Sequence, residues 1–393
     1  MNRKINIGLF IDTFFPMTDG VIMVVDNYAK RLNKIANVIV FAPKCSNSYD
    51  DSKLPYKVVR CKSIKVPFLD YDLPIPSIDN SFIKELNNYK LDIIHIHSPF
   101  TIGKIGIKYA KKNNIPCIGT MHSQYKLDFK RAVKISFLAK ILTTKIINLY
   151  NKCDECWAVN SEVARIFYEE YGYKKLPKVM NNATEMEPVK DENSAINYIN
   201  KKYNIKEDEK VFLFVGRINI LKNILFIIDA LKIIKSKKTN FKFKMLFVGS
   251  GQDEELLRSY IKENKLTNEV ILTGKVTDRK KLSYYYKRAD LFLFPSLYDA
   301  SSIVQIEAAS QGTVGIFLKG SATSATIKDN YNGFLTQNSA EDYANKIIEV
   351  MENKKLYNKV SNNVFKTLYK SWDNNINEVY NSYLYLIDNK KTL

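Results

Sequence analysis

The chain has 393 residues, 46% of them hydrophobic, and a formal net charge of +19. That length predicts two domains, each able to bury its own core, and the hydrophobic content is ordinary for a globular protein. The apolar runs are too short to predict a transmembrane helix, and five scattered cysteines predict reduced thiols. The N-terminal residues enter a strand at once, without an apolar signal region, so a cytoplasmic protein is expected. A strongly basic chain can serve nucleic acid, an anionic membrane or phosphorylated substrates. No nucleic-acid-binding module is visible, so no nucleic-acid partner is expected.

The first half alternates strand-like and helix-like runs. Strands are predicted at 5–10, 38–42, 93–96, 117–120 and 155–159, and helices at 24–32, 102–112 and 161–171, the last capped by Ser161. This order predicts an open, mostly parallel sheet with helices on both faces. Residues 45–79 carry several prolines and little periodicity, which predicts irregular chain or paired short strands. His95 and His97 alternate on one strand face, where a structural role is expected. Cys153 and Cys156 form a lone Cys-x-x-Cys pair with no second pair, so neither zinc nor redox chemistry is expected of them.

A local basic cluster follows. Lys126, Lys130, Arg131, Lys134, Lys140, Lys145 and Lys152 alternate with Val133, Phe137, Leu138, Ile141, Leu142, Ile146, Ile147 and Leu149. Two structures fit this pattern equally: a basic amphipathic segment on an anionic membrane surface, or a packed helix with a solvated basic face.

Residues 181–206 are polar and predict a hinge. Beyond them the architecture repeats, with strands at 211–215, 244–248, 270–272, 291–294 and 315–318. After the first of these, Gly216-Arg217 and Lys222-Asn223 flank a strand-to-helix turn, which is where parallel sheets bind ligands. Gly249-Ser250-Gly251 follows the next strand and opens a helix over 253–262. The run 291–294 leads into Pro295-Ser296-Leu297-Tyr298-Asp299, then Ser301-Ser302 and a helix carrying Glu307 eight residues after Asp299. Eight residues is about 2.2 turns, which predicts both acids on roughly one side. A helix start after small residues offers free N–H groups to a phosphate, and two cations on the neighbouring turn complete a plausible diphosphate clamp. The tail predicts two amphipathic helices with Trp372 between them.

The order of these motifs resembles the family-four glycosyltransferases, which are retaining enzymes of the GT-B fold. They include bacterial diacylglycerol glucosyltransferases and envelope polysaccharide glycosyltransferases. The resemblance runs from Phe15-Pro16 and Asp19-Gly20, through Ile94–Pro99, Gly119–Ser123 and Asn181-Asn182, to Glu307. It implies an α/β protein of two Rossmann-like doubly wound domains facing a central cleft. Residues 1–182 would form the acceptor-binding domain and 183–375 the nucleotide-sugar-binding domain, with 376–393 crossing back to the first.

The resemblance also implies roles. Asp299 and His122 would be the catalytic pair, Asp299 holding donor-sugar hydroxyls and His122 contacting the donor sugar. Arg217 and Lys222 would balance the leaving diphosphate in place of a metal, with the backbone at Gly251, Ser302, Ile303 and Val304 beside it. Glu307 would accept ribose hydroxyls, and Asp19 and Gly20 would line an acceptor-side loop. Three sites depart from the family pattern: Asp299 stands where Glu is usual, Ser301-Ser302 where Phe-Gly is usual, and Asp19-Gly20 where paired glycines are usual. The expected partners are a nucleotide-sugar, with a UDP-sugar the expected donor, a lipid-linked or glycan acceptor, and an anionic membrane surface, with neither cofactor nor metal. Two other functions fit the sequence: the same fold acting on a soluble sugar or sugar-phosphate acceptor, and a non-catalytic binding protein.

Overall fold

Short apolar runs that are buried on both faces must lie in a sheet covered by helices on each side. The computed structural model, which describes residues 3–17, 19–47, 49–66 and 71–391, contains two such sheets. The chain divides into one unit of Met1–Asn182 with Trp372–Leu393 and a second of Ala183–Ser371.

The first unit has strands β1 (Asn6–Phe10), β2 (Asn37–Pro43), β3 (Lys57–Cys61), β4 (Ser63–Ile64), β5 (Leu73–Pro74), β6 (Ile93–Ile96), β7 (Cys117–Met121), β8 (Glu155–Ala158) and β9 (Lys178–Val179). Seven of them form a sheet in the order β3-β2-β1-β6-β7-β8-β9, parallel throughout. The pair β4-β5 is antiparallel and separate. The prolines at 45–79 therefore conceal one full strand of the main sheet: β3 pairs with β2 in register Val40↔Val58. The last helix, Trp372–Lys391, belongs to this unit. It buries Trp372, Val379 and Tyr383. Tyr383 stacks on Trp157 at 5.7 Å, and Trp372 meets Tyr28 edge-on at 5.6 Å.

The second unit has β10 (Lys210–Val215), β11 (Phe243–Val248), β12 (Val270–Gly274), β13 (Leu291–Phe294), β14 (Gly315–Leu318) and β15 (Phe334–Thr336). They form a parallel sheet in the order β12-β11-β10-β13-β14-β15. Its core gathers Phe214, Phe247, Phe294 and Phe317 around the helix residues Ile227, Leu231 and Ile347. In each sheet the strand order reverses beside one central strand. The reversal falls between β1 and β6 in the first sheet and between β10 and β13 in the second. Loops at the carboxyl ends of such strands diverge and leave a crevice.

Three local expectations are corrected. The polar stretch 181–206 contains a 12-residue helix, Glu192–Tyr203, capped by Asp191, rather than only a hinge. Its Ala195 and Ile199 are buried, and Asn200 accepts from Arg288 Nε at 2.6 Å, so few apolar residues suffice. The helix at 161 is capped by Asn160, whose side-chain oxygen accepts from Val163 N–H at 2.8 Å, and not by Ser161. It gives way to a wider turn over Ile166–Glu170. Gly20 lies within a helix, Gly20–Leu32, as its first residue, and not in a loop.

Candidate active site

The turn after β10 is shaped by Asn219 and Asn223. Asn219 Oδ1 accepts from Leu221 N–H at 2.9 Å, and Asn223 sits in the left-handed region (φ 60°), which turns the chain into the helix Ile224–Lys237. Asparagine tolerates that region better than most residues. Lys222 is thereby aimed at the loop after β13. Its ammonium lies 2.5 Å from Asp299 Oδ1 and 5.6 Å from the Phe294 ring centroid. The buried Ser296 hydroxyl donates to Asp299 Oδ2 at 2.6 Å, and Asn223 Nδ2 donates to the Pro295 carbonyl at 3.3 Å. The two loops that flank the switch point are thus joined by an ion pair and a hydrogen bond. Arg217, on the same turn as Lys222, is exposed.

Gly249 and Gly251 have a packing reason. A Cβ at Gly249 (φ +148°) would lie 1.8 Å from the Gly216 carbonyl oxygen, and one at Gly251 would lie 2.1 Å from that of Ile218. Ile218 N–H donates to Ser250 O at 3.0 Å, and Ile220 N–H to Asp253 Oδ2 at 2.9 Å. This loop buttresses the turn that carries Arg217 and Lys222, and the close backbone approach at Gly251 is to Ile218.

Ser302 is the N-cap residue of the helix Ile303–Ser310, and its side chain makes no capping bond. Gln305 N–H donates to Ser302 O at 3.2 Å, and the earlier N–H groups of Ile303 and Val304 precede the helix's own ladder of bonds, which is the arrangement an anion uses. Glu307 is 3% exposed and is held from a neighbouring helix. Its Oε1 accepts from Arg279 Nη2 at 2.5 Å and its Oε2 from the Tyr286 hydroxyl at 2.9 Å. Burial and the neighbouring Glu307 raise the Tyr286 phenol well above its ordinary range, so it stays a proton donor. Neither Arg279 nor Tyr286 carries a sequence signal for this role, because both sit on another helix, Arg279–Arg288.

In the first unit all three histidines of the chain gather in one cluster. His95 Nδ1 is 2.6 Å from the Tyr383 hydroxyl, and its Nε2 is 2.6 Å from Thr120 Oγ1. His97 Nδ1 is 3.1 Å from His122 Nε2. Burial lowers the pKa of all three, that of His122 to about 3, so each imidazole is neutral at pH 7. Asp19 caps the helix Gly20–Leu32 by accepting from Ile22 N–H at 2.8 Å. A Cβ at Gly20 would meet nothing within 4 Å.

The basic segment of the first unit forms two helices, Tyr125–Val133 and Ser136–Tyr150. Its apolar residues split between two environments. Ile146, Ile147 and Tyr150 enter the core, whereas Leu127, Ile135 (59% exposed), Phe137 (74% exposed), Leu138 and Ile141 are exposed beside the cations. The five cysteines are free thiols, with Cys117 Sγ 3.9 Å from Cys153 Sγ. Among the described residues, no group of three His, Cys, Asp or Glu side chains could hold a metal ion, and no helix is long and apolar enough to cross a membrane.

Two doubly wound parallel sheets in one chain, with cations, carboxylates and a helix start collected at a switch point, define a GT-B glycosyltransferase. The chain belongs to the glycosyltransferases that join a Glycosyltransferase Family 4 domain, matched over residues 18–187, to a Glycosyl transferases group 1 domain, matched over 196–367. It is 25% identical over 374 residues to alpha-monoglucosyldiacylglycerol synthase of Acholeplasma laidlawii, covering 91% of each chain. It is 26% identical over 356 residues to the enzyme of the same name from Streptococcus pneumoniae, covering 88% of this chain and 78% of the relative. Among solved structures, Anabaena HepE in complex with UDP and glucose superposes with a TM-score of 0.75 at 16% identity, over 96% of this chain and 99% of that one. Sucrose-phosphate synthase from Thermosynechococcus elongatus superposes with a TM-score of 0.81 at 18% identity, over 98% and 100%.

Proposed function

We propose that this protein is a retaining hexosyltransferase that moves a hexose from a UDP-sugar to a lipid-linked or envelope-glycan acceptor at an anionic membrane surface. The observation that carries the donor half is the Lys222–Asp299 pair at the switch point, directly before the helix start at Ser302. Departure of a nucleoside diphosphate develops negative charge, and preorganised cations and N–H dipoles stabilise it. Lys222 and Arg217 supply the cations, and the amides at Ser302, Ile303 and Val304 supply the dipoles, so no metal is needed. Glu307, held rigid by Arg279 and Tyr286, accepts the ribose hydroxyls. Asp299 takes hydroxyls of the donor sugar when the diphosphate draws Lys222 away from it, and His122 keeps the donor-sugar role that the family resemblance implies.

The acceptor half rests on the exposed Ile135, Phe137 and Leu138 among Lys130, Arg131 and Lys134. Apolar side chains rimmed by cations suit a surface of anionic lipid. The names of two relatives, both monoglucosyldiacylglycerol synthases, fit this direction. The test is product analysis. EDTA-treated protein, UDP-glucose and diacylglycerol in anionic vesicles should yield a glucoside that keeps the donor's α configuration. A β-linked product would overturn the retaining assignment.

A further inference from the structure

His97 is 1% exposed, and its ring is fixed on several sides. The Tyr28 ring meets it edge-on at 5.6 Å and the His95 ring lies 4.0 Å away between centroids, while the backbone N–H of His97 donates to the Phe10 carbonyl at 2.8 Å. Its Nδ1 faces His122 Nε2 at 3.1 Å, and its Nε2 is buried without a hydrogen-bond partner among the described residues. A neutral imidazole carries its one proton on one of these nitrogens. If the proton sat on Nε2, a buried N–H would go without an acceptor, which is the rarer and costlier kind of orphan. With the proton on Nδ1, the orphan is a lone pair and the N–H is used.

We infer that His97 is a positioning residue: its Nδ1–H donates to His122 Nε2 and thereby fixes His122 as the Nδ1–H tautomer. A His122 nitrogen that accepts a hydrogen bond cannot carry the ring's proton, so the proton of neutral His122 lies on Nδ1. His122 then presents a donor and no acceptor on its free side. That chemistry suits a lone pair of a sugar hydroxyl or ring oxygen, and it does not suit a general base. This inference rests on the proposed donor-sugar role of His122 for its functional meaning, but the tautomer itself is independent of that role.

The experiment is 15N–1H correlation spectroscopy of the intact protein with 15N-labelled histidine at pH 7.5, where only three imidazoles contribute. His122 should show a protonated Nδ1 and an unprotonated Nε2. His97→Leu should admit the Nε2–H tautomer of His122. His97→Asn, whose amide N–H falls near the position of Nδ1, should restore the wild-type pattern. Hydrolysis of UDP-glucose should fall roughly tenfold in His97→Leu, the worth of about one neutral hydrogen bond, and recover in His97→Asn. A wild-type His122 protonated at Nε2, or an unchanged His122 tautomer in His97→Leu, would overturn the inference. The wild-type spectrum decides the matter even if the leucine variant does not fold. A wild type that neither binds nor hydrolyses UDP-glucose would count against the donor assignment and leave the tautomer result standing.

Discussion

Lys222 and Asp299 are 2.5 Å apart, so the cation assigned to the diphosphate and the carboxylate assigned to the donor sugar neutralise each other in the free protein. Both side chains are 19% exposed, partly shielded from water. The pairing predicts a split between binding and chemistry. Lys222→Ala should weaken UDP by roughly 10- to 150-fold, the loss of one charge-assisted hydrogen bond of about 1.5–3 kcal/mol. Asp299→Asn should bind UDP at least as tightly as wild type, because Lys222 no longer has to leave an anionic partner, yet lose most transfer activity. Calorimetric titration with UDP checks both. Weaker UDP binding by Asp299→Asn would contradict the competition.

Arg279 acts through Glu307. Removing its guanidinium leaves a buried carboxylate held only by Tyr286, and an unsatisfied buried group costs about 1–3 kcal/mol. Arg279→Met should therefore lower unfolding stability by about that amount and weaken UDP roughly tenfold. Adding Glu307→Gln to it should return part of the stability, because the unpaired charge is gone. Urea unfolding and titration measure the two effects. Wild-type values for both in Arg279→Met would remove Arg279 from the site.

The histidine cluster makes stability depend on pH with a definite sign. Burial lowers the folded-state pKa of His95, His97 and His122, the last to about 3. Each unfolded imidazole titrates near 6.5. Below that value the unfolded chain binds more protons than the fold, so this stability is present above about pH 6.5 and is lost as pH falls. At pH 5 the loss is about 2 kcal/mol for each imidazole that stays neutral. Asp12 works the other way, since burial raises its carboxyl, and it offsets part of the loss. Urea midpoints at pH 7.5 and 5.0 should fall in wild type and fall less in His97→Asn.

Recruitment to membranes should respond to charge and salt. Each cation near an anionic surface contributes about 1 kcal/mol within a Debye length. Changing Lys130, Arg131 and Lys134 to Glu should reduce sedimentation with anionic vesicles by more than about tenfold, and raising salt should do the same to wild type. Ile135→Ser with Phe137→Ser should reduce it with less dependence on salt. Negligible binding of wild type to anionic and neutral vesicles alike would favour a soluble acceptor.

The central strands of both sheets were legible because buried parallel strands are short apolar runs, as at 211–215 and 291–294, whereas the short edge strands β9 and β15 were not. Lys222 and Asp299 were legible for a related reason: each follows such a strand, where a parallel sheet leaves its loops open to a ligand. Arg279 was not, because its relation to Glu307 depends on how two helices pack and no local pattern encodes that. β3 was hidden by neighbouring prolines, and the helix at 192–203 by a composition with few apolar residues. Gly251 was legible as a turn glycine, but its reason is the Ile218 backbone beside it. The 126–152 segment sends Ile146 into the core and leaves Phe137 at the surface, so its periodicity alone could not separate a membrane-facing segment from a packed helix.

The return of Trp372–Lys391 to the first unit has a consequence for synthesis. When residues 1–182 have left the ribosome, the partners Tyr28, His95 and Trp157 still await Trp372 and Tyr383, which are translated only after the second unit. The second unit is an insertion whose ends are adjacent, since Thr184 N–H donates to Lys370 O at 3.0 Å. It can therefore close on itself while the first remains unfinished. All residues of the middle unit are available before the first unit has its last helix, and a stop codon ahead of 372 would strip aromatic cover from the histidine cluster while sparing every strand of the second sheet.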